Sequence, residues 1–248
     1  MKKSTFLPLL LALLPFCLQA QKDQKIALEI RGGTNYGDPN YGYELFDFEN
    51  FFPVDDYTSF RSGNGPLLGY QFGLGADYRF LRRFTLFAGA DYVLMRNSVD
   101  GAIDNRNPNS TRPPSNDFPM RAEGFIHYSF IDLQAGLAFT FNERIDKGLY
   151  AGLTLNYLLP LNVAWQMEVE YEAGATGTEA DFGELQEPDY NGFAMLGLEL
   201  GYKLPLLKRV SLTPYAAFRY GLSPFVEEQI NPTMGVLGLK VKRWFGGK

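Results

Sequence analysis

The sequence contains one cysteine, Cys17, and one histidine, His127, among 248 residues. Because Cys17 lies in the leader segment described below, the mature chain has no thiol and forms no disulfide. The chain also lacks Cys/His metal patterns, a GxGxxG motif and a P-loop, so we expect no cofactor and no metal. No segment after the leader reaches about eighteen consecutive apolar residues, which excludes membrane-spanning helices.

The first twenty residues have the features of a secretory signal peptide. Lys2 and Lys3 form a positive start, an apolar stretch follows, and Ala20 supplies a small residue before Gln21. A lipoprotein signal is disfavoured because Phe16 stands where a small residue is needed before the cysteine. We therefore predict a signal peptide over residues 1–20 and a mature domain over residues 21–248.

Positive charge is scarce in the mature chain. The whole sequence has 23 basic and 28 acidic residues, and loss of Lys2 and Lys3 leaves 21 against 28, a net charge of −7. Nucleic acid binding depends on neutralising phosphates with lysine and arginine, so nucleic acid is not an expected partner.

Apolar and polar residues alternate with a period of two through most of the mature chain, which predicts β-strands. Glycine (26 residues) and aromatic residues (15%) are frequent, as is typical of strands and tight turns. The predicted strands cover residues 26–36, 67–80, 84–95, 124–141, 149–171, 191–204, 210–222 and 233–245. In the fifth strand, the odd positions from Ala151 to Tyr171 keep one phase, so its outer part is expected to project beyond a bilayer.

The predicted connections alternate between short turns and longer loops. Residues 81–83, 142–147 and 205–209 form the turns, and residues 37–66, 96–121 and 161–190 are assigned to long loops. The third loop has eight acidic residues and no lysine or arginine, and the first is also acidic and rich in Tyr and Phe. No EF-hand spacing accompanies these acidic residues, so they are interpreted as solvated loops rather than calcium sites.

Alternation alone does not decide which face of a barrel points inward, because a soluble barrel has an apolar interior. Three features favour a membrane barrel: glycine and isolated charges share the polar face, turns and loops alternate regularly, and aromatic residues gather at strand ends. Those predicted to form a girdle beside the short turns are Tyr78, Phe80, Phe84, Phe139, Phe141 and Phe245. The charges predicted to face the lumen are Glu29, Arg31, Asp77, Arg79, Asp91, Asp132, Glu199, Lys203, Arg219, Lys240 and Lys242.

With its signal peptide, eight alternating strands, opposed turns and loops, and aromatic end at Arg243, Trp244 and Phe245, the chain resembles the small outer-membrane β-barrels of the OmpA and OmpX type. Within these, it is similar to the PorT-like outer-membrane β-barrel domain proteins of Bacteroidota. The resemblance implies the outer membrane of a Gram-negative bacterium, with lipid and lipopolysaccharide as surroundings. It also implies a terminal assembly signal for the barrel-insertion machinery, matched here by Val241, Trp244 and Phe245. The tail at residues 246–248 departs from this pattern, because such signals end on the aromatic residue.

We therefore predict an all-β, eight-stranded antiparallel transmembrane β-barrel with short periplasmic turns and long extracellular loops. The expected role is non-enzymatic and monomeric: acidic, aromatic-rich loops interact with an unknown extracellular ligand or protein, or support envelope integrity. The first alternative is a channel for ions or small solutes, although paired charges are expected to fill so narrow a lumen. The second is a lipid A-modifying enzyme with His127 as base and Ser129 as nucleophile, for which the strand supplies no acidic third member. Lys240 and Lys242 are expected to face Glu29 across the closing strands.

Overall fold

The computed structural model describes residues 25–38, 57–106, 119–142, 147–171, 176–179, 192–207, 209–224 and 231–245. The predicted signal peptide and, in the three predicted long loops, residues 39–56, 107–118, 172–175 and 180–190 lie outside the described residues. Within these ranges, no helix has the length and apolar character needed to cross a membrane. The strands are β1 (Lys25–Asp38), β2 (Tyr57–Arg79), β3 (Phe84–Arg106), β4 (Pro119–Thr140), β5 (Gly148–Tyr171), β6 (Thr176–Glu179), β7 (Phe193–Leu207), β8 (Val210–Gly221) and β9 (Thr233–Phe245).

Eight of these strands form a closed antiparallel barrel. Each pairs with the next along the chain, except that β5 pairs with β7, and β1 closes the ring by pairing with β9. The short strand β6 lies outside the ring and pairs with the outer part of β5. The predicted all-β, eight-stranded antiparallel barrel is therefore confirmed.

The strands are strongly staggered around the barrel. Following paired residues from Ile26 through all eight strands returns to β1 at Tyr36, an offset of ten residues. Such a stagger requires strands tilted relative to the barrel axis. A barrel of about eight strands has an interior just wide enough for side chains to fill, so the lumen has little room for a water-filled channel.

The outward face of the barrel is apolar, and the inward face carries the charges. Leu74, Leu198 and Leu237 are each more than 60% exposed, whereas Glu29, Asp132 and Lys240 are buried. Rings meet at the short-turn end: the Phe84 centroid lies 6.2 Å from that of Phe80 and 5.1 Å from that of Phe139. At the opposite end the outward aromatic residues include Tyr36, Tyr70, Tyr92, Tyr157 and Tyr220. An apolar belt between two aromatic girdles is the exterior of a transmembrane barrel.

Four neighbouring strands continue past the barrel as one sheet. Strands β2, β3, β4 and β5 have 22 to 24 residues each, against 12 to 15 for β1, β7, β8 and β9. Their pairing extends outward as far as Tyr57 with Arg106 and Pro119 with Tyr171. We call this part the outer sheet.

In the outer sheet, three strand ends differ from the prediction: the start of β2, the end of β3 and the start of β4. Residues 57–66 belong to a predicted loop because the alternation weakens there, and residues 96–106 because they open a segment with four prolines amid Asn, Ser and Asp, yet each segment pairs with the other across β2 and β3. Residues 119–123 likewise belong to β4, and β6 lies inside the predicted third loop.

The predicted turn at residues 205–209 is too long, because β7 continues to Leu207. Pro205 is tolerated there because β5, on its other side, ends its pairing at Lys203.

Irregular pairing marks the level at which the strands leave the barrel. In β2 the register shifts between Leu67 and Tyr70, and between β4 and β5 it shifts at Ser129 and Phe130. An extra residue in one strand moves the following side chains to the opposite face. The single phase predicted for β5 is therefore wrong beyond Leu161: the even residues of its outer part share the face that the odd residues occupy in the barrel.

Candidate functional site

The eleven predicted lumen charges can be placed individually. Ten of them are buried on the inward face of the strands, at 5% exposure or less. Arg79 differs, because it is only half-buried at the short-turn rim and donates to the carbonyl oxygens of Leu81 and Arg82. Arg79 therefore stabilises the β2–β3 turn.

The first and last strands are joined by charged side chains. Lys242 Nζ lies 2.8 Å from Glu29 Oε2 and 2.5 Å from Asp77 Oδ2. On the same face of β1, Arg31 donates to Glu29 Oε1 at 2.5 Å and to Asp91 Oδ1 at 2.6 Å. Each carboxylate thus has a cationic neighbour, as a buried charge requires.

A second cluster lies where β7, β9 and β5 face one another. Lys240 Nζ lies 2.5 Å from Glu199 Oε1, and the Tyr150 hydroxyl donates to the same oxygen at 2.6 Å. The Lys240 ammonium also lies 4.5 Å from the centre of the Tyr215 ring. The space for this ring comes from Gly238, where an added Cβ would lie 2.6 Å from Tyr215 Cε1.

A third cluster connects opposite sides of the barrel. Arg219 on β8 donates to Asp132 on β4 at 2.7 Å, and Asn156 donates to both oxygens of that carboxylate at 3.0 Å. Asp132 also stands directly opposite Asp91 in the β3–β4 ladder. These two like charges are tolerated because each has its own guanidinium, Arg219 for Asp132 and Arg31 for Asp91.

Above the charged clusters, most of the inward side chains form an apolar layer, with Asn35 and Asn97 as buried polar members at the same level. On β3, β4, β5, β7 and β9 the inward face changes from polar to apolar residues toward the outer end, for example from Asp132 to Phe130 and Tyr128 on β4. The Phe130 and Phe193 rings meet edge to face at 5.6 Å. The buried members of this layer are Val93, Met95, Ile126, Tyr128, Phe130, Leu158, Phe193, Met195, Met234 and Val236.

Sequence reasoning missed the apolar layer, although a signal was present. Where both faces of a strand are apolar, the alternation disappears, as it does at Val93, Leu94 and Met95. Such an interruption predicts a strand with an apolar environment on both sides. Here lipid lies outside, and the packed side chains of the layer lie inside.

The arrangement of the lumen favours a closed plug over a conducting path. Charged side chains in its lower part are joined to one another, and mainly apolar side chains occupy its upper part, which disfavours hydrated ions. Among the described residues, no group of three or more His, Cys, Asp or Glu side chains is placed to hold a metal ion.

His127 and Ser129 lie on the outward face of β4, beyond the apolar run that ends at Ile131. The Ser129 hydroxyl is 3.0 Å from the Tyr92 hydroxyl. Directly across from His127 are Arg96 and Ala164, so neither neighbouring strand places a carboxylate in this row. Partial burial and the nearby Arg96 lower the pKa of His127. In the described strands, the positions directly opposite His127 therefore do not supply the acid that orients a catalytic histidine.

The predicted assembly residues occupy different faces of β9. Val241 and Phe245 face outward, and the Arg243 guanidinium lies 5.4 Å from the centre of the Phe245 ring. Trp244 points inward and packs against Ala27 of β1. The recognition of these residues by the insertion machinery stays a prediction.

The outer sheet carries a row of acidic side chains. In the β3–β4 ladder Asp100 stands opposite Glu123, and in the β4–β5 ladder Glu123 stands opposite Glu168. All three are exposed. Cβ atoms of directly opposed residues are about 4.5–5.5 Å apart, so these carboxylates repel one another. Arg121 lies two residues before Glu123 on the same face of β4 and forms a salt bridge with it, which reduces the repulsion between the carboxylates. We call Asp100, Glu123 and Glu168 the outer acidic row.

No protein-family model matches the chain, and no curated protein matches it either. Solved structures do. Neisserial surface protein A is 12% identical, over 89% of this chain and 97% of that chain, with a TM-score of 0.44. OprG of Pseudomonas aeruginosa is 12% identical over 92% and 99%, with a TM-score of 0.40. Ail of Yersinia pestis, in complex with the heparin analogue sucrose octasulfate, is 13% identical over 90% and 99%, with a TM-score of 0.38.

At these identities the likeness is one of chain architecture, and the barrel assignment rests on the strand pairing described above. The location follows from the distribution of polarity. An apolar, girdled exterior around a charged interior is the arrangement of a β-barrel in the outer membrane of a Gram-negative bacterium. The short turns then face the periplasm, and the outer sheet faces the cell exterior.

Proposed function

We propose that this chain is a non-enzymatic outer-membrane barrel whose outer sheet and long loops bind a positively charged partner at the cell surface. The observation that carries the proposal is the outer acidic row. Three exposed carboxylates stand side by side on adjacent strands, where like charges lower the stability of the sheet. A cationic partner placed over the row would remove that repulsion.

The amino-acid composition of two of the three predicted long loops supports the same partner chemistry. Residues 161–190 contain eight acidic residues and no basic residue, and residues 37–66 contain six acidic residues against Arg61. Glu170, which is exposed in the described part of β5, extends the acidic surface by two positions beyond Glu168. A surface with an excess of negative charge attracts partners of positive charge and raises their association rate.

The filled lumen supports an anchoring role for the barrel itself. A channel is not favoured, because joined charges and an apolar layer occupy the barrel interior. An enzyme is not favoured, because His127 faces Arg96 and Ala164 rather than a carboxylate. The barrel then serves to hold the outer sheet at a fixed height above the membrane.

Membership of the PorT-like group of Bacteroidota barrels is part of the same proposal. Its support is the sequence pattern: the alternating strands, the opposed turns and loops, and the final aromatic residues Trp244 and Phe245. A shared barrel architecture does not specify a ligand, so binding experiments are needed to identify the partner.

The proposal is tested with the mature chain folded into neutral phosphatidylcholine vesicles and a fluorescent octalysine peptide as the cationic probe. We expect the probe to bind, and to bind about tenfold more weakly when Asp100→Asn, Glu123→Gln and Glu168→Gln are combined. The affinity should also fall with added salt, because exposed charges are screened within about 10 Å at 0.1 M. Fluorescence anisotropy measures both effects.

Arg121→Gln is the matched control, because it removes a positive charge from the same surface and is expected to tighten binding. A gel-shift assay on unheated samples confirms that each variant is folded. Equal probe affinity for the triple variant and the unmodified chain would refute a role for the outer acidic row in recognition.

A further inference from the structure

Among the residues that the structure describes, the exposed charges of the periplasmic rim are basic, opposite in sign to the outer acidic row. Exposed basic residues occur in the β2–β3 turn (Arg82 and Arg83), before β5 (Lys147), in the β7–β8 turn (Arg209) and near the end of β9 (Arg243). We call these five residues the basic collar. Acidic residues of the neighbouring strand ends, such as Asp77, point into the lumen instead.

The collar is distributed around the rim rather than gathered on one side. The Arg83 carbonyl accepts from the Thr140 amide at the end of β4, and the Arg209 carbonyl accepts from the Trp244 amide on β9. Arg243 stands opposite both Leu28 of β1 and Val210 of β8. Basic residues therefore border the ends of most barrel strands.

The collar also lies at the height of lipid headgroups. Arg82 and Arg83 directly precede Phe84 of the aromatic girdle, and Arg243 lies beside Phe245 with its guanidinium 5.4 Å from that ring. Aromatic girdles mark the level of the membrane interface. An outward arginine at this level extends its charged end into the headgroup region while its stem covers apolar surface.

We propose that the basic collar binds anionic phospholipid headgroups of the periplasmic leaflet and so selects the lipid shell of the barrel. Guanidinium groups form paired hydrogen bonds with phosphate oxygens, which suits them to this partner. The collar is continuous with the apolar belt, so one lipid molecule contacts the belt with its chains and the collar with its phosphate.

The experiment measures the preference of the folded, full mature chain for spin-labelled phosphatidylglycerol over spin-labelled phosphatidylcholine. Electron paramagnetic resonance detects the lipid fraction that the barrel immobilises. Each basic residue near an anionic surface contributes about a fivefold preference in local concentration. Averaged over the shell, we expect phosphatidylglycerol to be favoured about threefold, and this preference to decrease at 1 M salt, where the screening length is about 3 Å.

The test variant combines Arg82→Gln with Arg243→Gln, since both side chains are exposed and their replacement leaves the barrel interior intact. We expect the preference to fall to below half of its original value, whereas Arg82→Lys with Arg243→Lys should retain most of it. Arg121→Gln, on the outer sheet, is the control for a general change of charge and should have no effect.

A preference near one for the unmodified chain would overturn the proposal and point to a different anionic partner in the periplasm. A preference that survives Arg82→Gln and Arg243→Gln would overturn it as well, because the selection would then arise elsewhere on the barrel. A gel-shift assay on unheated samples establishes that both variants are folded before the lipid measurements.

Discussion

Replacement of Lys240 by methionine tests whether the lumen is a dry plug. Lys240 Nζ lies 2.5 Å from Glu199 Oε1, and both side chains are almost entirely buried. Methionine has nearly the same length and no charge, so Glu199 would keep only the Tyr150 hydroxyl as donor. Leaving a buried charge without its partner costs about 3–5 kcal/mol. We expect Lys240→Met to lower the free energy of unfolding by about this amount.

A second substitution separates charge from packing. Glu199→Gln in the Lys240→Met background replaces the unpaired carboxylate by a neutral amide. The amide oxygen can still accept a hydrogen bond from the Tyr150 hydroxyl. Because buried ion pairs can often be replaced by neutral groups at little cost, the double variant should recover about 2 kcal/mol or more. Lys147→Met, at an exposed position of the periplasmic rim, is the control and should change stability by no more than about 0.5 kcal/mol.

The assay is equilibrium urea unfolding of the mature chain in phosphatidylcholine vesicles. Fluorescence of Trp165 and Trp244 reports the transition, and gel mobility without heating reports barrel closure. If Lys240→Met unfolds within about 0.5 kcal/mol of the unmodified chain, Glu199 must be solvated, and the description of a water-excluding lumen is refuted.

Two further predictions concern the membrane. Leu74 and Leu68 are similarly exposed on the same face of β2, at 64% and 66%, but Leu74 lies midway along the apolar belt and Leu68 at its outer limit. In the same unfolding assay, Leu74→Arg should cost about 2–4 kcal/mol and Leu68→Arg about 0–1 kcal/mol, and equal costs would contradict the placement of the belt. The purified barrel should also show no discrete conductance in planar bilayers, because Phe130 and Phe193 close the lumen above its charged part; regular single-channel steps would contradict this.

Much of the barrel was predictable because alternation and turn spacing are local properties. The last strand was predicted at residues 233–245, and β9 has these bounds. Closure of the sheet also placed Lys242 beside Glu29, since the first and last strands must pair. Both inferences need only the period of the pattern and the absence of free edges in a closed barrel.

Other contacts depend on the stagger of the strands and could not be predicted. Lys240 contacts Glu199 rather than a residue of β1, and Arg219 reaches across the lumen to Asp132, 87 residues away. The outer sheet was missed for a different reason. Its Gly- and Asn-rich segments have turn-like composition, and they become strands because a long partner strand satisfies their backbone hydrogen bonds.

The position of Lys240 and Lys242 on the final strand has a consequence for biosynthesis. A chain that stops before Thr233 lacks both ammonium groups, so Asp77 and Glu199 have no cation at the contacts they make in the finished barrel. Those carboxylates were made much earlier, on β2 and β7. A barrel without its last strand would therefore leave these two buried carboxylates without the ammonium groups that neutralise them, at a cost of several kcal/mol each.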